Sequence, residues 1–339
     1  MTLPTRRPGY SFVIPIHDER ETLRELFTRL RAVMDQLDAD SEVVLVDDGS
    51  TDGSYELMRE VHADDQRFGV IRLSRNFGHQ VAITAGLDHA RGDAVVIMDA
   101  DLQDPPEVVP EMARRWRDGY CVVYGVQVSR KGERLLKRLS AKLFYRLLGR
   151  LTDVPVPVDS GDFRLIDRKA VEAVQSMREH NRYLRGMFAW VGFDQTGVHY
   201  ERAARFAGSS KYSWRRMMNF AVDGVLSFSS APLRVALNLG FAISTLSFLV
   251  GFVAIACRIS NLYTTPGWAS IAVAIAFLGG VQLTVLGIIG EYIARIYDEV
   301  RRRPLYLVRD QLGLDAPDLD RVPGGLTAAD STAPTPVAR

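Results

Sequence analysis

Apolar and polar positions follow two rhythms along the first half of the chain. Residues 10–16 (YSFVIPI) form a short, nearly unbroken apolar run, the pattern of a strand covered on both faces. Beyond it, Leu23, Leu26, Phe27, Leu30, Val33, Met34 and Leu37 recur at helical spacing, and Asp18 followed by Glu21 predicts a capping box at the helix start. The cycle then repeats. Residues 42–47 (EVVLVD) predict a second strand, leading through Asp47-Asp48-Gly49-Ser50 to a helix that runs to His62 and is capped by Thr51 or Asp52. Residues 70–73 and 94–98 predict a third and a fourth strand separated by a helix ending at Ala90, and residues 121–124 a fifth. Strands alternating with helices predict an α/β domain with a mainly parallel sheet, whose ligands sit at the carboxyl ends of the strands. No repeat of solenoid length interrupts this order.

The second half changes character. In residues 131–151, leucines and Phe144 take one broad helical face flanked by arginines and lysines. That suits a helix lying in a lipid headgroup layer, although a helix packed on the soluble domain would share the pattern. Residues 214–228 predict a second interfacial helix, anchored by Trp214, Met217, Met218 and Phe220. Two uncharged apolar segments follow, 235–257 and 268–290, each close to the ~20 residues that a membrane-crossing helix requires. Basic residues precede the first and Arg295, Arg301, Arg302 and Arg303 follow the second, whereas the loop 258–267 is nearly neutral. The positive-inside bias therefore predicts two spans in an inner or plasma membrane, with the sheet domain and both termini cytoplasmic. The expected boundaries are a cytoplasmic domain at 1–211, a juxtamembrane amphipathic helix at 212–231, a transmembrane hairpin at 232–297 and a cytoplasmic tail at 298–339. From about Asp315 the tail loses periodicity and reads as disordered. Gly279, Gly280, Gly287 and Gly290 leave room for close helix approach, including that of a second subunit in a homo-oligomer.

Composition narrows the function classes. The chain has 339 residues, 47% hydrophobic and 24% charged, with a net charge of +1, which argues against a general nucleic-acid binder. Its only cysteines, Cys121 and Cys257, fall in a strand-like run and in an apolar segment, so a reducing compartment is expected and a disulfide is not. The apolar run within residues 1–16 is too short for a signal peptide, and the chain is expected to begin in the cytoplasm.

Candidate chemistry gathers at the strand ends. The fourth strand leads into Asp99-Ala100-Asp101-Leu102-Gln103-Asp104-Pro105-Pro106-Glu107, where two prolines stop its continuation. Two carboxylates one residue apart project together only if the backbone turns there, and their repulsion suits a divalent cation with positions left open for phosphate. A solvated acidic turn is the plain alternative; the strand before the pair and the D-L-Q-D-P-P-E run weigh against it. Asp47 and Asp48 reach the same rim, where carboxylates accept hydrogen bonds from a ribose or a base imide. Ser74-Arg75-Asn76-Phe77-Gly78-His79-Gln80 brings a cation, amides and a glycine suited to a pyrophosphate or to sugar hydroxyls, although a surface arginine and a helix cap would read alike. Asp162, beside another apolar strand, either braces the Gly161 turn or acts on a substrate. Residues 199–212, just before the apolar segments, concentrate cations, hydroxyls and a flexible glycine that suit a phosphate, with a merely positive juxtamembrane surface as the competing account.

Together, residues 15–19, 47–50, 74–79 and 99–107 resemble the inverting GT-A glycosyltransferases that use polyprenyl phosphate as acceptor, of the bactoprenol glucosyltransferase and dolichyl-phosphate mannose synthase types. The resemblance covers nearly the whole chain. It implies a GT-A nucleotide-sugar-binding domain followed by interfacial helices and two transmembrane helices. It implies that Asp99, Asp101 and Gln103 hold Mg2+ or Mn2+ on the donor diphosphate, and that Pro15, Glu19, Asp47, Asp48, Ser74, Arg75 and Ala100 line the nucleotide-sugar site. Arg202, Arg205, Ser210 and Lys211 would then hold the acceptor phosphate, and Asp162 is the candidate base. A lipid monophosphate has a second pKa near ~6 and is already largely a nucleophilic dianion, so orientation is expected to be the larger task of Asp162. UDP-glucose is the first choice of donor, because two spans resemble the bacterial glucosyltransferases more than the span-free mannose synthases; GDP-mannose, UDP-galactose and amino sugars stay open. A processive polysaccharide synthase would share the sheet but needs a channel and usually a Q-x-x-R-W motif, which this chain lacks. A non-catalytic membrane scaffold that retains the fold is the rival from another class.

Overall fold

The computed structural model describes residues 8–127, 160–201 and 268–315, with scattered helical positions between 233 and 260. The chain forms two compact units, one from residues 1–145, 154–213 and 304–339 and the other from residues 146–153 and 214–303.

The first unit is built on one eight-stranded sheet. Its strands are β1 (Tyr10–Ile16), β2 (Ser41–Asp47), β3 (Phe68–Leu73), β4 (Ala94–Ile97), β5 (Val122–Gln127), β6 (Ser160–Asp167), β7 (Gln195–Tyr200) and β8 (Val308–Leu312), in the order β7-β5-β6-β4-β1-β2-β3-β8. Pairing is parallel through β4-β1-β2-β3, as the β-α alternation predicts. It becomes antiparallel where β6 sits between β4 and β5, and where β8 adds to β3. Helices α1 (Arg20–Met34), α2 (Ser54–Asp64) and α3 (His79–His89) make the crossovers, and α4 (Val109–Arg117) follows the acidic loop. Leu23, Leu26, Leu30 and Val33 of α1 are buried together with Phe12, Ile14, Val43 and Leu45 in one core.

A proline in a central strand needs an explanation, since it removes a ladder donor. The Val13 carbonyl accepts from Met98 and the Ile16 carbonyl from Asp48, so alternate residues of β1 address β4 and β2 in turn. Pro15 therefore faces the β4 side, two residues beyond the last register pair of β4, Val13 with Ile97. The missing N–H falls where the neighbouring strand has already ended.

Two expectations are corrected. Asp18 does not cap α1: it takes a left-handed φ of 54° and its carboxylate accepts from the Thr51 N–H at 2.8 Å, while the helix start at Arg20 donates to Asp52 Oδ2 at 3.0 Å. The cap comes from the neighbouring loop, because both loops leave the same sheet edge. The segment after the last apolar helix is also not merely a tail. Val308–Leu312 is an edge strand, and Leu314 fills the space that Gly69 leaves on β3, where a Cβ would clash with the Leu314 side chain.

In the second unit, Trp268–Arg301 is a single helix of 34 residues. Its stretch Phe277–Arg301 is, among the described residues, the one helix long and apolar enough to cross a membrane, and none of it is buried. The first expected span, 235–257, lies partly outside the described residues; its described positions are helical, with Leu237, Phe241, Leu246, Phe248 and Phe252 exposed. The expected interfacial helices at 131–151 and 214–228, and the tail beyond 315, lie outside the described residues.

Candidate active site

The register carries the acidic residues to one rim. Ile16 pairs with Asp47 and Asp47 with Arg72, so β1, β2 and β3 end level. Ile97 pairs with Arg164 in the antiparallel β4–β6 ladder, which brings Asp99, two residues past the end of β4, to the side of Asp162, near the start of β6. Sequence reading had both carboxylates at strand ends; the antiparallel insertion of β6 is what joins them.

Around Asp162 the charges are tightly organised. Arg185, on the helix Leu184–Trp190, donates from Nε to Oδ1 at 2.7 Å and from a terminal nitrogen to Oδ2 at 3.2 Å. His79 Nε2, in the first turn of α3, lies 3.2 Å from Oδ2 and 3.6 Å from Asp99 Oδ1. Burial would push the Asp162 carboxyl up, but the His79 hydrogen bond and the Arg185 charge outweigh it and hold the group well below the usual carboxylate range. Partial burial would likewise depress the imidazole; the Asp162 hydrogen bond and the nearby Asp99 charge raise it to about 8 instead. A carboxylate so strongly held is a weak proton acceptor.

Asp99 sits in the opposite situation. Desolvation, offset in part by His79 and reinforced by Asp162, Asp104 and Asp101, pushes its carboxyl up to about 6. Its Oδ1 is buried and accepts no hydrogen bond. An ionised oxygen without a donor, in a crowd of carboxylates, is what a hard cation would relieve. The turn that follows is fixed by Leu102, a non-glycine residue at φ 59°, by the Gln103 N–H donating to Asp101 Oδ1 at 3.1 Å, and by the Tyr200 hydroxyl donating to buried Asp104. Among the described residues no three His, Cys, Asp or Glu groups converge as a complete metal cage.

At the other end of the rim, Asp47 and Asp48 have structural work. Asp48 accepts from the Phe77 N–H at 2.7 Å and the Gly78 N–H at 2.9 Å, bracing the loop before α3. Asp47 is fully buried; its Oδ1 accepts from the Ser50 N–H at 2.9 Å, and its Oδ2 lies 3.2 Å from Arg72 Nε without the alignment of a hydrogen bond. Gly49 lets the two loops touch, at φ 73° and with the Asn76 nitrogen 2.7 Å from where a Cβ would stand. Pro15 is buried and Glu19 half-buried, whereas Ser74 and Arg75 are exposed, with the Arg75 guanidinium 4.0 Å above the Phe77 ring. Arg202, Arg205, Ser210 and Lys211 lie outside the described residues.

This arrangement has relatives. Residues 11–175 match the family described as glycosyl transferase family 2. An uncharacterized glycosyltransferase of Bacillus subtilis, YkcC, is 45% identical over 92% of this chain and 96% of its own length. The chain belongs to glycosyl transferase family 2. A second relative, the SfII prophage-derived bactoprenol glucosyl transferase of Shigella flexneri, is 37% identical over 88% of this chain and 97% of its own length. Glucosyl-3-phosphoglycerate synthase of Mycobacterium tuberculosis, solved with Mn2+ and UDP, aligns at a TM-score of 0.44 with 17% identity over 65% of this chain and 79% of that one, too remote a likeness to bear on chemistry. The sheet of this family 2 glycosyltransferase is GT-A-like, mostly parallel at its centre. What sequence reading missed in it is Arg185, which no motif marks, and the pairing of His79 with Asp162 across 83 residues.

Proposed function

We propose that this family 2 glycosyltransferase moves a hexose, glucose from UDP-glucose as first choice, onto the phosphate of a polyprenyl lipid, with inversion at the anomeric carbon. The observation that carries the reading is the extent of the likeness to the Shigella bactoprenol glucosyl transferase. It covers 88% of this chain, far beyond the family match that ends at residue 175, and so takes in apolar helix as well as sheet. The sheet adds support for a two-span anchor. Strands from before and after the apolar segments pair directly, β3 with β8, so a chain that leaves for the membrane must cross it an even number of times to return to the same side.

Asp99 and Asp101, with Gln103 beside them, are the residues we assign to a Mg2+ or Mn2+ ion, and the buried Asp99 Oδ1, which accepts no hydrogen bond and has His79 Nε2 at 3.6 Å, fits that role. When bound, the cation supplies charge neutralisation for the departing nucleotide diphosphate. The rest falls to the chain. The loops after β1, β2 and β3, with Pro15, Glu19, Asp47, Asp48, Ser74, Arg75 and Ala100, shape the donor site, Asp48 acting through the Phe77 and Gly78 backbone it holds. Arg202, Arg205, Ser210 and Lys211 are assigned to the acceptor phosphate, which attacks as a dianion and needs no strong base. Positioning and charge do most of the work.

The test is incubation of the purified protein in detergent with polyprenyl phosphate and a panel of labelled nucleotide sugars, with and without chelator. Glucosyl lipid from UDP-glucose, lost in chelator, is expected. Mannosyl lipid from GDP-mannose would replace the donor but keep the reaction class; no lipid product from any donor would overturn it in favour of a non-catalytic scaffold.

A further inference from the structure

We propose that Arg185 is a positioning residue of the transfer site, acting by holding the Asp162 carboxylate in one orientation at the rim beside Asp99. The proposal rests on the glycosyl-transfer reading above. Its basis is geometric. The guanidinium spans both oxygens of Asp162, Nε to Oδ1 at 2.7 Å and a terminal nitrogen to Oδ2 at 3.2 Å, so rotation about the last side-chain bond would break both contacts at once. The helix that carries Arg185 is itself tied down, because the Leu184 N–H donates to Gln80 Oε1 at 3.0 Å. Gln80 follows His79 in the first turn of α3, so two elements, stitched together, approach the same carboxylate from two directions. The backbone before Asp162 is held as well, by Arg164, which is 4% exposed and donates to the Gly161 carbonyl at 2.9 Å.

A plain ion pair that only stabilises the fold would show the same distances. What separates the two is kinetics. If Arg185 works through Asp162, its loss should lower kcat by about a hundredfold while donor KM stays within about twofold, since misorientation harms the transition state rather than ground-state binding. Arg185→Lys keeps the charge but not the fork and should fall between wild type and Arg185→Ala.

The deciding measurement is a double-mutant cycle in detergent, with kcat and KM for donor and polyprenyl phosphate measured for wild type, Arg185→Ala, Arg185→Lys, Asp162→Asn and the Asp162→Asn/Arg185→Ala pair. The expected result is that the double variant is no slower than Asp162→Asn alone. Multiplicative losses, an unchanged kcat in Arg185→Ala and Arg185→Lys, or a fully active Asp162→Asn would each overturn the proposal. Should Arg185→Ala not fold, Arg185→Lys and the double variant, which leaves no unpaired charge, still decide. A wild type that transfers no sugar to lipid removes the underlying reading, and the proposal with it; an active wild type with multiplicative losses removes the proposal alone.

Discussion

Asp101 and His79 show how much a single side chain can be asked to do at this rim. Asp101→Asn keeps an Oδ1 to accept from the Gln103 N–H, so the turn should survive while a hard cation loses an anionic ligand. Transfer should fall by about a hundredfold or more, with the melting temperature little changed. Full activity in this variant, or in excess chelator, would remove the metal from the reading. His79 gives a pH signature in the metal-free protein. Its imidazole rises from an ordinary 6.5 to about 8 on folding, so the native state binds the proton more tightly. The stabilisation is complete below pH 6.5 and is lost as pH rises through about 8. Because the side chain is 43% exposed, solvent screening limits it to about 1 kcal/mol or less. Denaturant melts of wild type and His79→Gln across pH 6 to 9 should therefore converge at the alkaline end, and a constant gap would contradict the assignment. Both aspartates of the acidic pair were legible in the sequence because a strand, two acids and two prolines are contiguous. Arg185 was not, since its partner lies 23 residues away and nothing local marks the register that joins them.

Among the elements, β8 was the least foreseeable. Five residues, Val308–Leu312, follow three arginines and a proline and read as tail, yet three contacts anchor the segment around them. The Ser74 N–H donates to the Leu307 carbonyl at 2.9 Å, the Tyr306 hydroxyl donates to Asp88 Oδ2 at 2.9 Å, and the Tyr55 hydroxyl donates to Asp310. Asp88 is buried and also paired with Arg178 at 2.9 Å, so Tyr306→Phe removes one of its donors without leaving it unpaired. The expected cost is about 1–2 kcal/mol, felt locally. Amide exchange over Val308–Leu312 should speed up, and that over β1 should not. Equal protection in the variant would show that the strand holds without its tyrosine. The α1 start carries the same lesson, its cap being supplied by Asp52 of the next loop rather than by the local Asp18 and Glu21 pattern.

For the molecule as a whole, the strand pairing and the apolar helix constrain topology together. If Trp268–Arg301 crosses the bilayer, a second crossing must precede it for β8 to reach β3. Tags at both termini should be accessible only from the cytoplasmic face, and a tag at Tyr263 only from the opposite one; a cytoplasmic Tyr263 tag would overturn the two-span arrangement. The sequence by itself determined what depends on neighbours in the chain: the β-α rhythm of the parallel centre, the acidic turn after β4 and the lengths of the apolar segments. Periodicity, proline placement and hydrophobic length are local physics and survive without coordinates. Only the tertiary structure decided which strands run antiparallel, that residues 308–312 return to the sheet, and that Asp99, His79, Asp162 and Arg185 share one network. Those depend on pairing between elements far apart in sequence; in β6, for example, a shift of one residue would turn Asp162 to the other face of the sheet.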